Sequence, residues 1–229
     1  DGLSRALGPG RRRTSQGGGV MEAYALLLAS TLNAGTVLAL ASLGLLINEK
    51  AGIVNLGAEG MMLCAAIAGF AAVVHTGSDA MGFLAGMAAG ALMAAIFGGL
   101  VSYLGTNQYA TGLALSLFGV GFSAFVGISY VQEKLPPRPS FEIPFLADIP
   151  LLGLALFKQH PLVYGVIAFV FALIWFLDKT RTGLVLRSVG ESPESAHALG
   201  YSVRRIRFLA VMVGGALCGL SGAYISVVY

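Results

Sequence analysis

Six stretches of the chain carry no charged residue, and their lengths set the architecture. They run from Ala23 to Ile47, Gly60 to His75, Met81 to Leu104, Thr111 to Val131, Pro161 to Leu177 and Phe208 to Tyr229. A hydrocarbon core of ~30 Å takes ~20 apolar residues per helix. Five stretches meet that length, whereas Gly60 to His75 is short and needs part of the polar segment before it to finish a crossing. No alternation with a period of two recurs, which argues against a membrane barrel. The pattern predicts an all-α integral membrane protein, a polytopic helical bundle of about six transmembrane helices.

Composition agrees with the pattern and excludes several functions. Hydrophobic residues make up 56% of the 229 positions and charged ones 11%, with a mean hydropathy of +0.81; a soluble domain carries about a quarter charged residues. The net charge of +3 comes entirely from Asp1, Arg5, Arg11, Arg12 and Arg13, leaving ten basic and ten acidic residues elsewhere. No basic face for nucleic acid is therefore expected. Cys64 and Cys218 fall inside apolar runs, where small core residues belong, and His75, His160 and His197 lie in separate segments without ligand spacing. With no phosphate-binding loop and no paired-carboxylate site either, the chain is not expected to be an enzyme.

The ends and loops divide the chain. Residues 1–20 are rich in Gly and Arg and are expected to form a disordered tail, with Met21 reading as a natural start and 21–229 as the membrane domain. The final run stops at Tyr229 without a polar flank, so a C-terminally truncated chain is expected. Alternating the spans puts 48–59, 105–110 and 178–207 on one side with seven basic residues, from Lys50 to Arg207, against Lys134, Arg138 and Lys158 on the other. The positive-inside rule places the first set in the cytoplasm and the Pro-rich loop 131–160 outside.

Small residues supply the packing logic. Gly82, Gly86, Gly90, Ala94 and Gly98 recur every four residues, Gly215, Gly219 and Ala223 repeat the device, and Gly119, Ser123 and Gly127 do so again. Lipid tails are as apolar as Leu, so membrane helices associate through close backbone approach, which such stripes permit. Four polar residues at or near membrane depth are candidates for a substrate pathway: Asn33, Asn55, Glu59 and Asn107. Asn55 and Glu59 belong to "NEKAGIVNLGAEG", residues 48–60, whose glycines disfavour an unbroken helix and suggest a turn that re-enters the membrane with both side chains facing the bundle interior.

The segment 178–207 carries the most specific signals. Ser192 suits an N-cap, Pro193 the first helical position, Glu194 the helix dipole and Gly200 a C-terminal stop, predicting a two-turn helix over 193–199. Ser202 caps a second start, and Arg204, Arg205 and Arg207 are expected to anchor the last span at lipid headgroups.

From about Met21 to Tyr229, "VGESPESAHALGYSVRRIRFLAVMVGGALCGLSGAY" resembles the coupling loop of bacterial ABC-importer permeases, and "NEKAGIVNLGAEGMM" resembles a second signature of the same proteins. The likeness is to the branched-chain amino acid and ribose type, nearest to nucleoside and simple-sugar permeases associated with basic membrane lipoproteins. It implies a permease subunit in the bacterial inner membrane that pairs with a second permease, identical or related. The resemblance also implies a cytoplasmic ATPase dimer holding the ATP and magnesium, and an external substrate-binding lipoprotein. Matched by position, Gly190, Glu191, Pro193, Glu194, Ala196 and Gly200 would couple to the ATPase. An ion-coupled secondary transporter is the rival reading, but such proteins need an ionisable site near the midplane, and no run centre here contains one.

Overall fold

A computed structural model describes residues 16–133 and 160–228. Among these residues the chain forms no strand. Its helices are α1 (Gln16–Lys50), α2 (Ala58–Thr76), α3 (Asp79–Ser102), α4 (Gln108–Gly127), α5 (Pro161–Lys179), α6 (Arg181–Glu191), α7 (Pro193–Ala198) and α8 (Val203–Val228), with a 3₁₀ turn at Ile128–Tyr130. Six are long and apolar enough to cross a membrane: Leu26–Lys50 of α1, α2, α3, α4 with the 3₁₀ turn, α5 and α8. These are the six charge-free runs, and the protein is a multi-pass membrane protein. Helices suit that solvent because every interior backbone group finds its partner within the segment.

The boundaries differ from the sequence expectation where polar residues join a helix. The second span recruits Ala58, Glu59 and Thr76 and so reaches 19 residues. Helix α1 begins at Gln16, inside the stretch expected to be an unstructured tail; extending an existing helix costs far less than nucleating one. Residues 1–15 and most of the loop 131–160 lie outside the described residues. Helix α8 takes in Arg204, Arg205 and Arg207, which are good helix formers.

The chain divides into two compact units, Asp1–Ala34 with Pro139–Pro161, and Gly35–Arg138 with Leu162–Tyr229. In the first, the hydroxyls of Ser30 and Thr31 donate back to the Leu27 carbonyl at 2.9 and 2.7 Å, a local way of satisfying a polar group in an apolar helix.

In the second unit α8 is the hub. Buried residues account for 61% of its apolar stretch, against 17% for the α4 span. One apolar cluster joins Leu40, Leu43 and Ile47 of α1 to α5 and to Leu217 of α8, and a second joins Met61, Phe97 and Leu115 to Val211 and Cys218. The glycine stripe of α3 lies on α8. A side chain at Gly90 would strike the Gly215 carbonyl and come within 2.6 Å of the Gly219 Cα, and one at Gly98 would come within 3.2 Å of Val211. Side chains at Gly82 and Gly86 would collide with Val73 and Ala223. Helices α2 and α4 cross where Gly60 and Gly119 meet backbone to backbone, while a side chain at Gly127 would come no nearer than 3.8 Å, to Ile67, among the described residues. Two hydroxyls of α8 tie it to its neighbours: Ser221 donates to the Val37 carbonyl and Ser226 to that of Ala66, both at 2.7 Å.

Candidate functional site

The loop between α5 and α8 is built almost wholly of short helix. Thr180 caps α6, its Oγ1 accepting from the Gly183 amide at 3.1 Å and donating to the Phe176 carbonyl at 2.6 Å. The chain reverses so sharply there that a side chain at Gly183 would collide with the Phe176 carbonyl. Helix α6 was not anticipated from sequence, although Thr180 as a cap and the buried Leu186 and Val189 on one face were its signals. Arg187 donates to Asp178 at 2.9 Å, an ion pair open to solvent that contributes little.

Helix α7 follows the prediction closely. Ser192 Oγ accepts from the Ser195 amide at 3.4 Å and donates to Ser195 Oγ at 2.8 Å, Pro193 stands in the first turn and Glu194 lies beside the positive end of the dipole. Gly200, at φ +90°, closes the helix. The Gly200 amide donates to His197 O and that of Tyr201 to Ala196 O, at 2.9 and 3.1 Å, a Schellman arrangement that favours glycine at the left-handed position. Ala196 is buried, whereas Glu191, Glu194 and His197 are exposed and Leu199 is 75% exposed at the tip.

This α6–α7 ledge rests on the turn that follows α1. Gly190 packs on the Lys50 carbonyl and against Gly52, leaving no room for a side chain. Gly52 takes φ +78°, and the turn closes through Asn48 O, which accepts from the amides of Ala51 and Ile53 at 3.1 and 3.0 Å. From α8, Arg207 Nε donates to the Ala51 carbonyl at 3.0 Å. Arg207 is thus half-buried and latches α8 to the α1 turn. Its position four residues before the buried Val211 was the available signal. The Asn48 side chain is fully buried beside Gly214 and has no hydrogen-bond partner among the described residues.

The segment 51–57 is non-helical, and neighbouring groups satisfy its backbone, as non-helical chain near the membrane requires. The Val54 amide donates to Gln108 Oε1 at 3.1 Å, the Leu56 carbonyl accepts from Ser116 Oγ at 2.8 Å, and the Gly57 amide donates to Asn55 Oδ1 at 2.9 Å. The loops 51–57 and 103–107 and the ledge therefore gather at one end of the bundle. A cavity of about 810 Å³ lies among them.

Within the second unit, the candidate pathway residues Asn55, Glu59 and Asn107 each have a local place. Asn55 is buried, as expected, but its oxygen holds the Gly57 turn and its amide nitrogen lies 3.6 Å from Met61 Sδ. Glu59 is exposed on the first turn of α2, not turned into the bundle interior as anticipated, and there its charge complements the helix dipole. Asn107 is exposed and caps α4, its Oδ1 accepting from the amides of Tyr109 and Ala110 at 2.9 and 3.3 Å. Asn33 is half-buried within the first unit.

Comparison with known proteins bears on this arrangement. Residues 27–229 match the family described as "Branched-chain amino acid transport system / permease component". The chain is 39% identical over 213 residues to the "Putative glucose ABC transporter permease protein TsgC13" of Haloferax volcanii, an alignment covering 91% of this chain and 65% of that protein. It is 33% identical over 218 residues to the "Guanosine ABC transporter permease protein NupQ" of Bacillus subtilis, covering 89% and 67%. With the "Nucleoside ABC transporter permease protein NupC" of Lactococcus lactis it shares 32% over 219 residues, covering 89% and 68%. The chain thus spans about two thirds of the length of these curated relatives. No solved structure matches it.

Proposed function

The chain belongs to the branched-chain amino acid transport system permease family, and from that membership we propose that it is the membrane-spanning subunit of an ATP-binding-cassette importer. In this proposal it carries a small polar solute, a nucleoside or simple sugar, across the cytoplasmic (inner) membrane. The names of its relatives, one for glucose and two for nucleosides, support that solute class. The chain does no chemistry itself. A pair of cytoplasmic ATPase subunits binds ATP and magnesium, a second permease subunit completes the pathway, and an external lipoprotein delivers the solute.

The observation that carries the proposal is the double attachment of the ledge. Helix α7 and its flanks expose Glu191, Glu194, His197 and Leu199, and the helix is short, capped and of a size to seat in a groove of an ATPase. Behind it, Gly190 bears directly on the α1 backbone and Arg207 ties α1 to α8. A displacement imposed on α7 therefore reaches α1 through a backbone contact, which does not yield as a flexible side chain would, and α8 through the Arg207 bond. Because α8 packs on both α2 and α3 through glycines, the movement passes into the bundle.

The test is uptake by the complete transporter reconstituted in vesicles with ATP inside. Accumulation of labelled nucleoside or glucose that requires both ATP and the ATPase subunits is expected. Accumulation driven by an ion gradient in their absence would overturn the proposal, as would protease cleavage of 192–202 from the outer face.

A further inference from the structure

The contact between α1 and α8 is fastened at one end and left unsatisfied at the other. Far from the ledge, the buried Ser221 of α8 donates to the Val37 carbonyl at 2.7 Å. Nearer the ledge the two backbones touch: a side chain at Gly44 would strike the Gly214 carbonyl and come within 3.2 Å of Leu217 Cβ. Asn48, one turn beyond Gly44, lays its Oδ1 directly on Gly214, where no room remains for a water molecule. Its carboxamide is fully buried, and neither the oxygen nor the nitrogen has a hydrogen-bond partner among the described residues. Such groups are rare in folded proteins, and each calls for a physical reason. Packing alone supplies none, because an apolar side chain of the same shape would fill the space without the loss of hydration. Each unmet group weighs against the closed contact by enough to shift an equilibrium about 5–150-fold. Water is close at hand, since Glu49 and Lys50, next along α1, are exposed.

We propose that Asn48 is a conformational switch: its carboxamide is dry and unbonded in the conformation described, and takes up water when movement of the ledge parts the end of α1 from α8. The bond from Ser221 to Val37 holds the far part of the contact, so the helices open from the ledge end. Arg207 bridges the same two helices through a long side chain, which tethers α1 to α8 without pinning one backbone to the other. The ledge is placed to act on this contact, because Gly190 bears on the Lys50 carbonyl, two residues beyond Asn48. The unmet hydrogen bonds load the closed contact, so a modest displacement opens it, and the two conformations stay close enough in free energy to alternate. That the ledge supplies the displacement rests on the coupling role proposed above; the load on the contact does not.

The experiment uses the complete transporter with its ATPase subunits and has two readouts. In detergent without nucleotide, Asn48→Leu removes both unmet groups and is expected to raise the thermal midpoint of the permease by about 2–8 °C. ATP-driven uptake by the same variant in vesicles is expected to fall about fivefold or more, because the closed contact is now favoured. Asn48→Ala cannot clash with Gly214, and it decides the matter if leucine does not fit: its midpoint should be no lower than that of wild type. Midpoints lowered by both variants would overturn the load, and normal uptake by a stabilised Asn48→Leu would overturn the switch. The second readout places Asn48→Cys in a chain whose buried Cys64 and Cys218 are replaced by alanine, and follows its reaction with N-ethylmaleimide. Reaction about fivefold or more faster in the state trapped with ATP and vanadate than without nucleotide is expected, since a thiol reacts where water reaches it. Equal rates in a transporter that takes up solute with ATP would remove the switch and leave the importer function standing. Where ATP drives no uptake, the importer function fails by itself, and Asn48 is judged by the midpoints.

Discussion

Gly190→Val tests whether the ledge transmits force through backbone contact. Nothing soft surrounds this glycine: a side chain would meet the Lys50 carbonyl, with the Lys50 carbonyl carbon at 3.0 Å and the Gly52 nitrogen at 3.1 Å. All three are main-chain atoms of a turn held by two hydrogen bonds to Asn48 O. Accommodation therefore requires the ledge to lift by roughly an ångström, at a cost of about 1–3 kcal/mol, the usual penalty for overpacking. If that cost falls on the coupled conformation, the population able to couple drops by about 5–150-fold. Valine should act more strongly than alanine. The assay is solute uptake by the reconstituted transporter alongside its ATPase rate, with permease content measured in each preparation. Expected is a matching fall in uptake at normal permease content, with ATP hydrolysis no longer responding to solute-loaded binding protein. Gly121→Ala is the control, because nothing lies within 4 Å of the position a side chain there would take. Normal, solute-dependent hydrolysis and uptake by Gly190→Val would refute the mechanical argument.

Other positions give sharper or milder outcomes. Arg207→Gln should lower the thermal midpoint in detergent by losing a half-buried charge-assisted bond worth about 1.5–3 kcal/mol, and Arg207→Lys should not restore it, because an ammonium cannot reproduce the guanidinium geometry. Gly90→Ala and Gly219→Ala each force α3 from α8, so each should reduce folded permease in membranes, and the pair should be non-additive because the two residues share one contact. Glu59→Gln should leave uptake within about twofold of wild type, since an exposed first-turn carboxylate contributes only about 0.3–1 kcal/mol at the α2 dipole. A large loss of uptake at normal abundance would show instead that Glu59 acts in the pathway.

The amino-acid sequence by itself determined what depends on near neighbours and on the solvent. Charge-free length located the six spans, because lipid tolerates little else. The α7 helix was legible residue by residue, because Ser192, Pro193, Glu194 and Gly200 act on their own backbone within one turn. The four-residue spacing of glycines marked the face of α3 that packs, although it could not say against which helix. Only the tertiary structure decided that the 48–60 stretch and the loop 178–207, read from sequence as separate signatures, are two halves of one contact. Lys50 and Gly190 are 140 positions apart, as their numbers show, and no local rule links them. The same holds for Arg207, which is half-buried and donates to the Ala51 carbonyl, 156 positions away. Asn107 and Glu59 show the converse: both sit at helix starts, where Asn107 caps α4 and Glu59 lies in the first turn of α2, a use that a polar residue's near neighbours decide.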